Sequence, residues 1–194
     1  MKRKTIAVIG GIGSGKSQVR HILAEAGYNT LDCDKIARDV SNQPQVLSAV
    51  KDLLGDKALL PDGTLNRRYI RSVVFADPDI TNRYTAIFSQ AVKDALDDAL
   101  AKLDGTVFVE VSVADSFRYK WDERWFVRAP DETRIKRVTS RDKVSIKNVL
   151  EIMARQSSDK YLGDVVIDND GTLEELKVKV LAAAENETKS VPND

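Results

Sequence analysis

Eight consecutive residues near the start of the chain, Gly10-Gly11-Ile12-Gly13-Ser14-Gly15-Lys16-Ser17, match the pattern G-x-x-x-x-G-K-[ST] without a gap. Each part suits the holding of a phosphate chain. The glycines permit positive φ angles, so the backbone N–H groups of Gly11, Gly13, Ser14 and Gly15 can turn toward phosphate oxygens. Lys16 supplies a point charge for the outer phosphates, and the Ser17 hydroxyl is a ligand for Mg²⁺. The helix that opens at Lys16 aims the positive end of its dipole at the same anion. ATP with Mg²⁺ is the ligand this pattern calls for.

A second constellation is Asp32-Cys33-Asp34, which ends the short strand read over Tyr28 to Leu31. In an open parallel sheet the carboxyl ends of the strands share one edge, and ligands bind there. An aspartate at that edge can orient an acceptor hydroxyl and take its proton late in a loose phosphoryl-transfer transition state. Asp34 is read in this role, against the competing role of capping a helix over Lys35 to Val40. For Asp32 the choice is between such a cap and contact with a Mg²⁺-bound water. A third constellation is the basic run Arg134, Lys136, Arg137, Arg141 and Lys143. Arg134, Arg137 and Arg141 recur at i, i+3 and i+7, which places them on one helical face. Arginines on a closing lid neutralise charge spreading over a transferred phosphoryl group and exclude water. The competing reading is a solvated face paired with Asp131, Glu132 and Asp142. Arg141, at the break before Asp142, is the leading candidate. Glu110 would be a further acid at the site if its strand register turned it there, but a one-residue slip reverses the face, and it is not assigned.

The elements that must position these groups are legible from periodicity. Thr5 to Ile9 is β-branched and apolar without alternation, as in a strand buried on both faces. Lys16 to Ala26 has helical spacing and a stop at Gly27, and Tyr28 to Leu31 reads as a second strand. Helical spacing then dominates Val46 to Leu54, Asn66 to Phe75 and Ile80 to Leu103. Strand character returns at Thr106 to Val113 and at Trp125 to Ala129. A helix opens at Pro130 and breaks at Arg141-Asp142, and Ser145 to Gln156 resumes it. Val165 to Ile167 is a last strand, Leu173 to Ala184 a last helix, and Glu185 to Asp194 a polar, disordered tail. The expected fold is an α/β P-loop nucleoside triphosphate hydrolase-like core. It comprises residues 1–42 and 104–194, with about five parallel strands and helices on both faces; the order 2-3-1-4-5 is what a likeness to small-molecule kinases implies. Residues 138–150 form its lid, and 43–103 form an all-helical insertion.

Composition narrows the function further. The 194 residues are 42% apolar and 31% charged, which is ordinary for a globular domain with a real core. Thirty basic side chains balance thirty acidic ones, so charge gives no case for nucleic acid or an anionic membrane as partner. The single cysteine, Cys33, excludes an internal disulfide and fits a reducing compartment. The single histidine, His21, excludes a multi-histidine metal site and argues against a Ser-His-Asp triad; it reads as a surface residue. The apolar stretch Ile6 to Ile9 is too short for a signal peptide or a membrane span, and a cytoplasmic protein is expected. No Asn-Lys-x-Asp guanine-reading segment occurs, and the chain is short for an ATPase motor. Both observations weaken the GTPase and motor readings beside that of a kinase.

With these residues in hand, the sequence resembles the dephospho-coenzyme A kinase family along most of its length. Gly10 to Ser17 is similar to that family's nucleotide loop, and Asp32-Cys33-Asp34-Lys35-Ile36-Ala37-Arg38 to its Asp-x-Asp-x-Ile-Ala-Arg segment, whose second aspartate is the base. Asp62 to Arg68 with Val74-Phe75 resembles the start of its helical substrate domain. Arg137 and Arg141 fall on its lid arginines. Gln156, Lys160 and Asp164 to Gly171 resemble its C-terminal segment, which carries Asn169 near the adenine. The departures are Ile9 and Gln18 around the loop, Ser89-Gln90 in place of His-Pro, and Val111 to Asp115 after the third strand. The resemblance implies transfer of a phosphoryl group from ATP to the ribose 3′-hydroxyl of dephospho-coenzyme A. Lys16, Asp34 and Arg141 would be catalytic. Gly11, Gly13, Ser14, Gly15, Lys16, Ser17, Gln18, Arg137 and Asn169 would hold nucleotide, with Ser17 and Asp32 toward Mg²⁺. A kinase with another hydroxyl acceptor, and an ATP-binding paralogue without turnover, are the alternatives.

Overall fold

β1 (Lys4–Ile9) is buried from Thr5 to Ile9, because it occupies the middle of the sheet. The computed structural model describes residues 3–74, 76–112, 119–156 and 163–189. Its strands are β1, β2 (Asn29–Asp32), β3 (Thr106–Glu110), β4 (Glu123–Arg128) and β5 (Val165–Asp168), in the spatial order β2-β3-β1-β4-β5 with every pair parallel. This is the order that the likeness to small-molecule kinases implies. β1 therefore pairs on both sides, and the loop after it leaves from the centre of the carboxyl edge.

The described residues fall into two compact units, one within Met1–Asp32, Leu103–Ala114 and Lys120–Asp194, the other within Cys33–Lys102 and Asp115–Tyr119. In the first, α1 (Lys16–Glu25) and α8 (Leu173–Lys189) pack on the sheet. Val19, Ile22, Leu23, Leu176 and Val180 meet Ile6, Val8, Phe108, Trp125, Val127 and Ile167. Phe108 and Trp125 stand edge to face at 4.9 Å, a geometry that adds to their area burial. α6 (Asp131–Asp142) and α7 (Ile146–Arg155) complete this unit. α6 ends where Lys143 takes a left-handed φ of 52°, and Ser145 caps α7 by accepting from Asn148 N–H.

The second unit is helical. α2 (Cys33–Val40), α3 (Pro44–Leu54), α4 (Arg67–Val74) and α5 (Pro78–Ala101) bury one another's apolar stripes through Val40, Val46, Val50, Leu54, Ile70, Val74 and Val92. Asp77 fixes the start of α5 by accepting from the N–H groups of Asp79 and Ile80, with Pro78 in the first turn. Cys33, 3% exposed, opens α2.

Several expectations need correction. The third strand stops at Glu110 rather than running to Val113. α2 begins at Cys33 rather than Lys35, so Asp34 lies inside the first turn and not ahead of it. The expected disordered tail is helical through Lys189. Glu185 to Lys189 contains no glycine or proline to stop α8, and Glu187 forms an ion pair with Lys4 on β1. Phe75, Val113, Ala114, Asp115 and Lys160 lie outside the described residues, as do 190–194. No helix among the described residues is long and apolar enough to cross a membrane.

Candidate active site

The loop between β1 and α1 folds back on itself through Ser14 N–H donating to the Gly11 carbonyl at 3.1 Å. Gly15 takes φ +102°, and a Cβ there would stand 2.0 Å from Asn169 Nδ2, so only glycine fits. Lys16 is 8% exposed. Its Nζ donates to the carbonyls of Gly10 at 2.9 Å and Gly11 at 3.3 Å, which holds the ammonium across the loop.

Two residues from distant parts of the chain seat themselves on this loop. Asn169, just beyond β5, donates through Nδ2 to the Ser14 carbonyl at 2.7 Å. Arg137 on α6 donates to Ser14 O at 3.4 Å, to Asn169 Oδ1 at 3.2 Å and to Asn169 O at 3.3 Å. The fold thus joins Gly11, Gly13, Ser14, Gly15, Lys16, Ser17, Arg137 and Asn169 into one cationic, donor-rich cradle.

A second cluster lies at the carboxyl ends of β2 and β3. Asp32 and Glu110 are register partners on those strands, and Glu110 also aligns with Val8 of β1. Glu110, 6% exposed, accepts from the Ser17 hydroxyl at 2.5 Å and from Arg20 Nε at 2.8 Å. Arg20 Nη2 is also 3.8 Å from Asp32 Oδ2. Sequence reasoning left Glu110 unassigned and missed Arg20 altogether. The available signals were an acid closing the apolar run Thr106 to Val109 and an arginine one helical turn beyond Ser17.

The three arginines of α6 go to three different places. Arg134 is buried beneath the loop, where its Nε donates to the Ile12 carbonyl at 2.9 Å. Arg137 joins the cradle. Arg141 binds Asp142 through two hydrogen bonds of 2.7 and 2.9 Å, with its side chain 65% exposed. That hydrogen bonding raises the Arg141 guanidinium further and holds the Asp142 carboxyl below the usual carboxylate range. Gln18 is exposed on the first turn of α1, and His21 is exposed further along it. Asp34 is exposed in the first turn of α2, where a negative charge suits the helix start.

Residues 4–175 match a family model described as dephospho-CoA kinase. A dephospho-CoA kinase of Geobacter sulfurreducens is 33% identical over 189 residues, covering 90% of this chain and 94% of its own length. One of Streptococcus mutans is 30% identical over 186 residues, covering 91% of this chain and 94% of its own. A crystal structure from Thermus thermophilus is similar with a TM-score of 0.82 at 28% identity, over 96% of this chain and 98% of that one. Since the match runs from β1 through the loop and the aspartate pair into the start of α8, this chain belongs to the dephospho-CoA kinase family.

Proposed function

We infer that the protein transfers the γ-phosphoryl group of ATP to the ribose 3′-hydroxyl of dephospho-coenzyme A, giving coenzyme A and ADP, the last step of coenzyme A synthesis. The observation that carries this reading is the family match over residues 4–175. In the reaction the hydroxyl oxygen bonds to the γ-phosphorus while the bond to the β-phosphate oxygen breaks. Lys16 and the loop N–H groups hold the phosphates, Arg137 and Asn169 hold the nucleoside end, and Arg141 leaves Asp142 to meet charge on the transferred group. Asp34 follows two residues after the last residue of β2. It orients the 3′-hydroxyl and accepts its proton as transfer proceeds. The helical unit supplies the acceptor contacts, and a cytoplasmic setting is part of the same reading.

The oxygen donors of Ser17, Asp32 and Glu110 suit a hard cation, and Mg²⁺ with ATP needs only one or two carboxylates beside phosphates and water. When bound, Mg²⁺ neutralises charge on the β- and γ-phosphates. By accepting a hydrogen bond from the Ser17 hydroxyl, Glu110 would leave the lone pairs of that oxygen available to the ion.

The test incubates the purified protein with Mg-ATP and, separately, dephospho-coenzyme A, adenosine, shikimate and nucleoside monophosphates. ADP release and product mass are followed. Coenzyme A formation with much less turnover of the other acceptors is expected. A different phosphorylated product, or ATP binding without any turnover, would overturn the reading.

A further inference from the structure

Ile12 lies midway along the phosphate loop, and side chains from elsewhere take both of its backbone polar groups. Its N–H donates to Gln156 Oε1 at 2.7 Å, and its carbonyl accepts from Arg134 Nε at 2.9 Å. Neither partner is loosely held. Arg134 is 7% exposed, and its Nη1 donates to Asp131 Oδ1 at 2.8 Å. Gln156 closes α7, its own N–H bonding back to the carbonyls of Ile152 and Met153. α6 also lies hard against the loop. A Cβ on Gly11 would stand 2.2 Å from Arg134 Nη2, and one on Gly13 would stand 2.7 Å from the Arg134 carbonyl. The two side chains come from opposite ends of the α6–α7 stretch that carries Arg137 and Arg141.

We propose that Arg134 and Gln156 clamp the Ile12 peptide from both sides and so preset the loop for the phosphates of ATP. Both are positioning residues, acting on the backbone rather than on substrate. With Ile12 fixed at its N–H and its carbonyl, the neighbouring peptides of Gly11 and Gly13 lose freedom before nucleotide arrives. Binding then orders less of the chain, and preorganisation of this kind strengthens affinity. The clamp also ties the loop to α6 and α7, whose facing ends fall within residues 138–150. It rests on the reading that this loop holds the phosphates of ATP.

The test measures equilibrium binding of ATP and of adenosine, which lacks phosphates, by calorimetry or ligand-observed NMR. Gln156→Met keeps the side-chain length and removes the acceptor. Its Kd for ATP is expected to rise about three- to tenfold, the worth of one positioned hydrogen bond, with adenosine affinity unchanged. Arg134→Met should act in the same direction, and Arg134→Lys, which keeps a donor, should recover part of the loss. Should Arg134→Met fail to fold, Gln156→Met and Arg134→Lys still decide the matter. Wild-type ATP affinity in Gln156→Met, or an equal proportional loss for ATP and adenosine, would overturn the clamp. Wild-type protein that binds ATP no more tightly than adenosine would instead overturn the assignment of the loop.

Discussion

Replacing Glu110 by glutamine keeps the shape of the side chain and removes a charge that two donors share. The native carboxylate accepts Ser17 Oγ on one oxygen at 2.5 Å and Arg20 Nε on the other at 2.8 Å. An amide has one acceptor oxygen, so one of the donors must face an NH₂ group. If Arg20 is displaced, its guanidinium retains Asp32 at 3.8 Å. Losing one partner of a fully buried pair costs about 3–5 kcal/mol. Here the Arg20 side chain is 21% exposed and that of Glu110 7%, so water offsets part of the loss, and about 2 kcal/mol is expected. In a chain of 194 residues each kcal/mol moves Tm by about 2–4 °C, so a fall of about 4–8 °C follows. Urea unfolding monitored by tryptophan fluorescence reads the change, since Trp125 is fully buried beside Phe108. A shift below about 0.5 kcal/mol at constant m would refute the reasoning. A cycle with Arg20→Met sharpens it, because strictly additive losses would mean that the two side chains do not act on each other.

Lys16→Ala should abolish measurable ATP binding and the thermal shift that accompanies it; equal calorimetric affinities would disprove the assignment of the loop. Asp34→Asn should lower kcat by about 10² to 10⁴ with ATP affinity unchanged, because the lost interaction is with the acceptor and the transition state. Asp32→Asn should be milder, and the reverse order in steady-state assays would show that the two carboxylates have exchanged roles. Gly15→Ala should destabilise by about 1–3 kcal/mol or more, since its Cβ would stand 2.0 Å from Asn169 Nδ2 at φ +102°; a variant with wild-type Tm and ATP affinity would contradict the geometry of the cradle.

The loop and the succession of strands and helices were legible because each is written in local pattern, and the strand order followed from the likeness to small-molecule kinases. Five β-branched and apolar residues followed by glycines leave one structural reading, and the alternation of strands with helices dictates a parallel sheet. Glu110 was not legible in the same way. Its role depends on which neighbour β3 pairs with and where it stops, and Thr106 to Val113 reads as one uninterrupted strand. The alignment of Glu110 with both Val8 and Asp32 is a tertiary fact. The arginines of α6 show a related limit. Helical spacing gives the direction in which Arg134, Arg137 and Arg141 leave the axis, but a long guanidinium stem reaches different partners from one face. The end of α8 is polar yet ordered, because Glu187 has a partner on β1 that lies far away in sequence.

The chain holds one cysteine, and Cys33 is 3% exposed at the start of α2, immediately before Asp34. A thiol reagent meets it only when that first turn opens, so labelling of the native protein counts openings at that spot without an engineered probe. Where reclosing outpaces reaction, the labelling rate is the intrinsic rate multiplied by the open fraction. Each tenfold slowing then corresponds to about 1.4 kcal/mol of added local stability. A molecule that engages Asp34 and steadies the turn would register as a slower chemical clock, ticking one residue away from the group proposed to take the proton.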